Sequence, residues 1–201
     1  MALKLYKTPE PWGHAIGTAP ASEPVSTADM REQLRIDHTT ENTYLDALVA
    51  AARGNLENVT KRKFIQQTIT LTTDKFPAGN WELPFPPIAA VSEVAYRDTA
   101  GDAQTLTVPT LRNANNPNLA AVLEEPSTGW PAVDDDPAAV TLTITAGYGA
   151  TATNVPGEIR LAIKMLAAHW YNYREAASTE APTTIPMHIE SLVNAHKWWN
   201  E

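Results

Sequence analysis

The spacing of apolar residues along this 201-residue chain changes from a helical period to an alternating one and back again. Ser26 precedes the first helical pattern and, with Asp29 placed in the first turn, predicts a helix over 26–36. Leucines and valines three or four residues apart then predict a longer helix over 41–62. The chain therefore begins its patterned part with two amphipathic helices.

Alternation of apolar and polar residues predicts a β-rich insertion over 64–146. It is clearest at 65–72 and at 140–146, where threonines separate aliphatic side chains. Shorter strands are predicted near 81–83, 91–97, 104–108 and 119–123. Because strands and helices form separate runs, the fold class is α+β, a helical body with an inserted antiparallel β-meander.

A third helix is predicted over 156–175, since Pro156 suits the first turn of a helix. Its apolar stripe consists of Ile159, Ile163, Leu166 and Trp170. A last short helix is expected after residue 186. These patterns predict three parts: an extended N-terminal arm over 1–23, a main domain over 24–175, and a linker with a C-terminal docking segment over 176–201.

Two adjacent tryptophans, Trp198 and Trp199, stand near the end of the chain and cannot both face one side of a helix. Large aromatic side chains are preferred anchors at interfaces. With Ile189 and Leu192 they form a candidate partner-binding set, and packing within the chain is the alternative.

The composition limits the chemistry. The net charge is −8 and there is no cysteine, which excludes disulfides and thiolate catalysis. We expect no secretory signal and no membrane span, because no apolar run is long enough. The five histidines lack metal-binding spacing, and Asp134-Asp135-Asp136 lacks the spacing of a calcium loop, so we expect no metal and no cofactor. Lys61-Arg62-Lys63 suits a helix C-terminus, with contact to DNA phosphates as the alternative.

The segment from Gly147 to Ala152 lies between a predicted strand and a predicted helix and matches the G-x-G-x-x-G/A pattern of dinucleotide sites. Such a site needs the helix to begin at the third small residue, and Pro156 moves that start further along the chain. The alternative is a structural turn in which Gly147 and Gly149 allow positive φ before Pro156 starts the helix.

Several blocks of the sequence, in this order and spacing, resemble the head–tail connector (adaptor) family of tailed phages and phage-like particles. The resemblance covers about Pro24 to Leu192. Its blocks are Pro24-Val25-Ser26 with Leu34-Arg35-Ile36-Asp37; Leu45 to Arg53 with Thr60 and Arg62; Leu83-Pro84, Pro86-Pro87 and Val91 to Tyr96; and Thr145 to Gly149, Val155-Pro156, Ile159-Arg160 and His169 to Glu175.

The resemblance implies a non-enzymatic virion protein that forms a dodecameric ring at the head–tail interface after assembly in the bacterial cytoplasm. Its implied partners are other copies of itself, the portal protein and a stopper or tail-completion protein. DNA would pass through the lumen without sequence-specific binding, and no membrane is involved. The alternatives are a nucleotide-binding enzyme that uses the Gly147–Gly149 turn and a monomeric β-rich binding module. Both chain ends depart from the family pattern, at 1–23 and from His196 to Glu201.

Overall fold

The computed structural model describes residues 13–173 and 187–198. They form two compact units. The strand unit contains the described residues up to Pro20 and Gln66–Tyr148, and the helical unit contains Ala21–Ile65 and the described residues from Gly149 onwards. Residues 1–12 of the predicted arm, residues 176–186 of the predicted linker, and Trp199 lie outside the described residues.

The helical unit contains four α-helices, and all four were predicted from the apolar periodicity. They are α1 (Thr27–Leu34), α2 (Asn42–Thr60), α3 (Gly157–Asn172) and α4 (Met187–Asn194). A 3₁₀ turn at Ala152–Asn154 precedes α3. The first three helices are a few residues shorter than predicted, because their end residues serve as caps.

Local capping explains where α1 begins and ends. The Ser26 hydroxyl accepts a hydrogen bond from the Asp29 N–H, and the Asp29 carboxylate accepts one from the Ser26 N–H. Arg35 ends the helix in the left-handed conformation, with φ of 58°. In contrast, α2 begins after Glu41 without a side-chain cap. Its stability therefore rests on packing of its apolar face.

The core of the helical unit lies around α3, which contacts each of the other three helices. The residues that α2, α3 and α4 bury include Leu45, Val49, Leu56, Ile159, Ile163, Leu166, Ile189 and Val193. These residues recur at helical spacing, as the sequence pattern predicted.

The strand unit contains eight strands in two antiparallel sheets. The strands are β1 (Gly13–Thr18), β2 (Gln67–Thr73), β3 (Trp81–Leu83), β4 (Ile88–Arg97), β5 (Ala103–Leu106), β6 (Leu111–Arg112), β7 (Ala121–Leu123) and β8 (Val140–Ala146). The larger sheet has the order β1-β2-β8-β4-β5, and the smaller has the order β3-β7-β6. The α+β class, with helices and antiparallel sheets, is confirmed.

The order of the strands differs from that of a simple meander, in which neighbours in sequence are neighbours in the sheet. The last strand, β8, lies between β2 and β4, and only β4 and β5 form a hairpin within the larger sheet. Strand β1 lies within the predicted extended arm and pairs with β2, a pairing that the sequence did not predict. Both pairings join residues far apart in sequence, which local periodicity does not reveal.

Both sheets contribute to one apolar core of the strand unit. In β2 and β8 every second residue is buried, so Ile69, Leu71, Leu142 and Ile144 point into this core. The alternation of aliphatic residues with threonine is the pattern of strands that have one buried face.

Candidate functional site: the C-terminal segment of the helical unit

The segment after α4 is attached to the end of α2. The Trp198 N–H donates a hydrogen bond of 2.8 Å to the carbonyl of Thr60, the last residue of α2. The Arg62 Nε donates to the His196 carbonyl, and the Arg62 guanidinium lies 5.4 Å from the centroid of the Trp198 ring. The segment therefore satisfies an end carbonyl of α2 that the helix itself leaves without a partner, and it holds the indole by a cation–π contact.

The residues of the predicted partner-binding set differ in exposure. Ile189 is 0 % exposed and belongs to the core of the helical unit. Leu192 and Trp198 are half-buried, and Trp199 lies outside the described residues. Ile189 thus offers no surface to a partner in this conformation, while Leu192 retains part of its surface. Partner binding by this set remains a prediction.

A buried ion network supports the same end of α2. Glu57 is only 4 % exposed, and its carboxylate accepts a hydrogen bond of 3.0 Å from the Phe64 N–H. The same carboxylate lies 3.4 Å from Arg53 Nη1 and 3.4 Å from Lys63 Nζ. Arg53 also pairs with Glu23 at 2.7 Å. Burial alone lowers the pKa of Arg53, but its hydrogen bond with Glu23 and the charges of Glu57 and Glu23 outweigh burial and raise that pKa. The Arg53 guanidinium therefore stays charged, and its acidic partners offset the cost of burying that charge.

The basic run after α2 is not a phosphate-binding surface. Arg62 and Lys63 are 5 % and 7 % exposed, and their charged groups face Trp198 and Glu57 respectively. Only Lys61 is exposed, and it takes the left-handed conformation that ends α2. The run begins just beyond the last turn of the helix, so its main role is to join the end of α2 to the following chain. Sequence reasoning missed this role, because the partners lie more than 130 residues away or have no local signature.

The segment from Gly147 to Pro156 contains two glycines with different constraints. Gly147 has φ of 135°, and its N–H donates to the Pro87 carbonyl at 2.9 Å. Gly149 does not need a positive φ, contrary to expectation. A Cβ at this position would lie 2.4 Å from Cγ of Asn154, so close approach requires the glycine. Pro156 is the N-cap residue of α3, whereas the sequence pattern placed it inside the first turn of the helix.

The surroundings of this turn do not match a dinucleotide site. The strand before it belongs to an antiparallel sheet, whereas the dinucleotide fold requires parallel strands. The 3₁₀ turn at Ala152–Asn154 lies between the glycines and α3, so the first turn of α3 does not follow the third small residue. The G-x-G-x-x-A match is therefore a feature of the sequence without the geometry that gives the pattern its chemistry.

Within 13–173 and 187–198, no three His, Cys, Asp or Glu side chains lie close enough together to hold a metal ion. Among the helices in the same ranges, none combines the length and apolar character needed to cross a bilayer.

Comparison with solved structures identifies chains of the same fold. One, from the virion of a native gene transfer agent particle, has a TM-score of 0.77 and 21% identity and covers 94% of this chain and 96% of that chain. Another, from the neck of the empty particle computed with C6 symmetry, has a TM-score of 0.76 and 21% identity, with 94% and 97% covered. A third, from the neck of the native particle computed with C12 symmetry, has a TM-score of 0.74 and 20% identity, with the same shares covered. No protein-family model matches, and no curated protein matches.

Likeness at this level of identity shows a shared fold. Because it covers nearly all of both chains, it includes the helical unit and the strand unit together. This chain therefore shares its α+β fold with chains from the virion and from the neck of gene transfer agent particles.

Proposed function

We propose that this protein is a structural head–tail connector in the neck of a phage-like particle. Copies of it would form a ring between the portal and a stopper or tail protein, and the ring would line the DNA exit channel. The observation that carries the proposal is the fold likeness, over 94% of the chain, to a chain of a particle neck computed with C12 symmetry. The connector resemblance of the sequence, from Pro24 to Leu192, supports the same role through different evidence.

A ring requires two different surfaces on each copy, since each subunit contacts its neighbour head to tail. The acidic balance of the chain suits a channel for DNA, because a wall of net negative charge repels phosphates and lets the duplex move. Assembly, rather than catalysis, is thus the role that both charge and fold support.

The proposal is tested by electron microscopy of the chain mixed with the portal protein of the same particle. We expect a ring of twelve copies stacked on one face of the portal. Particles in which the portal stays bare, at protein concentrations well above micromolar, would contradict the connector role. A thermal shift with NAD and with ATP provides the control for the nucleotide alternative, since a true site raises the melting temperature as ligand concentration increases.

Portal docking by the C-terminal segment needs a sharper test than truncation. Removing 187–201 also removes Ile189 and Val193 from the core of the helical unit, so lost binding would follow from unfolding alone. Leu192→Ala changes a half-buried side chain, Trp199→Ala changes the second tryptophan of the pair, and Glu190→Gln at an exposed position is the matched control. We expect weaker portal binding in the first two variants and wild-type binding in the control. Equal binding by all three would remove the docking role.

A further inference from the structure

Most of the net negative charge of the protein comes from residues 66–148. Residues 66–148 contain ten Asp or Glu and three Lys or Arg, a formal charge of −7, whereas the whole chain has −8. Six of the ten acidic residues are aspartates in the loops that follow β2 and β4 and precede β5 and β8. They are Asp74, Asp98, Asp102, Asp134, Asp135 and Asp136.

The register of the larger sheet brings these loops to the same end. Thr73, the last residue of β2, is opposite Val140, the first residue of β8. Val140 is opposite Tyr96 near the end of β4, and Arg97 is opposite Ala103 at the start of β5. We call this end of the strand unit, with the six aspartates, the aspartate end.

Hydrogen bonds hold the loops of the aspartate end together. The Ala138 N–H donates to Asp74 Oδ1 at 2.8 Å, and the Asp134 N–H donates to the Arg97 carbonyl at 3.1 Å. Lys75 pairs with Asp135 at 2.8 Å. These bonds link the loop after β2, the end of β4 and the loop before β8.

An aromatic cluster lies at the same end. The Phe76 ring stacks on the Trp130 ring with centroids 4.9 Å apart and contacts Tyr96 edge to face at 5.8 Å. Trp130 Nε1 donates to the Gly79 carbonyl at 2.7 Å, which fixes the indole. The three rings are half-buried, so each covers the apolar core and also reaches the surface. Rigid aromatic rings with part of their surface exposed are typical anchors for a binding partner.

Two carboxylates of the aspartate end, those of Asp98 and Asp135, have a lowered pKa and are therefore ionised at neutral pH. The hydrogen bond from Gln104 and those from the N–H groups of Asp102 and Ala100 lower the pKa of Asp98. The hydrogen bond and charge of Lys75 lower the pKa of Asp135. Lys75 in the loop after β2 and Arg97 at the end of β4 are the two cations beside these six carboxylates, so the surface keeps an excess of negative charge.

We propose that the aspartate end, with the rings of Phe76, Tyr96 and Trp130, is a docking surface for an arginine-rich segment of a partner protein. The negative charge of the aspartate end favours a positively charged partner segment. The aromatic rings favour arginine over lysine, because a planar guanidinium stacks on them better than an ammonium does. DNA is disfavoured because its phosphates meet like charge. The six aspartates lie in loops at the same end of the sheet as the rings, and no three His, Cys, Asp or Glu side chains of the described residues are grouped to hold a metal ion. This inference does not depend on ring formation and is tested on the isolated full-length chain.

The test uses NMR of the labelled full-length protein titrated with a hexa-arginine peptide at low salt. We expect saturable shifts of the Trp130 indole N–H, assigned with a Trp130→Phe variant, and of amides in 74–76, 96–98 and 134–138. Hexalysine should bind more weakly, and hexaglutamate should not bind. Shifts spread over the whole surface, or equal affinity for hexa-arginine and hexalysine, would overturn the proposal. Saturation of the same amides by micromolar calcium would show a cation site in its place.

A charge variant and a matched control complete the experiment. Asp102→Asn with Asp136→Asn removes two exposed carboxylates from the aspartate end, and Glu32→Gln with Glu190→Gln removes two exposed ones from α1 and α4. We expect the first variant to weaken hexa-arginine binding by about fivefold or more and the second to leave binding nearly unchanged. Equal weakening in both would mean that only net charge matters. Unchanged denaturation midpoints check that both variants fold.

Discussion

At the scale of single residues, the glycines of this chain have different physical roles. Gly149 lies against Asn154, whose Oδ1 accepts hydrogen bonds from the N–H and the hydroxyl of Thr151. Gly54 lies inside α2, and a Cβ added there would meet nothing within 4 Å. The sequence pattern explained Gly149 as a turn residue, but it could not reveal the close contact with Asn154.

This difference gives opposite expectations for alanine. Gly149→Ala forces Asn154 to move and breaks its bonds with Thr151, so the free energy of unfolding should fall by about 1–3 kcal/mol. Gly54→Ala should raise the free energy of unfolding by about 0.5–1 kcal/mol, because alanine restricts the unfolded chain and suits a helix interior. Urea denaturation of the two variants beside the wild type measures both. A stabilised Gly149→Ala would contradict the close approach.

At the scale of the element, the sequence predicted what depends on local pattern. The alternation in β2 and β8 and the Ser26–Asp29 cap of α1 are written in neighbouring residues, and the structure has them. The place of β8 between β2 and β4, and the attachment of Trp198 to Thr60, depend on residues far apart in the chain. Such contacts leave no periodicity, which is why the strand order and the buried role of Arg62 were not predicted.

The capping box of α1 provides a pH-dependent prediction. Hydrogen bonds from the Ser26 hydroxyl and N–H lower the pKa of Asp29 below its ordinary value of 3.8, and Lys164 adds to the effect. Since the folded pKa is the lower one, this stabilisation is fully present above pH 3.8 and is lost as the pH falls from there through the folded pKa. Ser26→Ala should cost about 1 kcal/mol at pH 7.

The measurement is thermal denaturation of the wild type, Ser26→Ala and Asp29→Asn between pH 7 and pH 2. The gap in melting temperature between the wild type and Asp29→Asn should narrow as the pH drops through this range. A gap that stays constant would mean that the charge of Asp29 does not act through the cap.

At the scale of the whole molecule, the uneven distribution of charge affects association. In the proposed ring, copies that each carry a net charge of −8 would repel one another, and residues 66–148 supply −7 of that charge. Contacts between copies must overcome this repulsion by apolar and hydrogen-bonded contact, whereas an arginine-rich partner is attracted by the same charge. The two kinds of association should therefore respond to salt in opposite directions.

We expect ring formation on the portal to strengthen when salt increases from 0.1 M towards 1 M, because the screening length falls from about 10 Å to about 3 Å. Hexa-arginine binding to the isolated chain should weaken over the same range, since attraction between exposed charges is screened in the same way. Mass photometry of the portal mixture gives the first quantity, and the NMR titration gives the second. Rings that dissociate as salt increases would mean that opposite charges hold the copies together. In that case the excess negative charge of residues 66–148 would attract the arginine-rich partner but would not oppose contacts between copies.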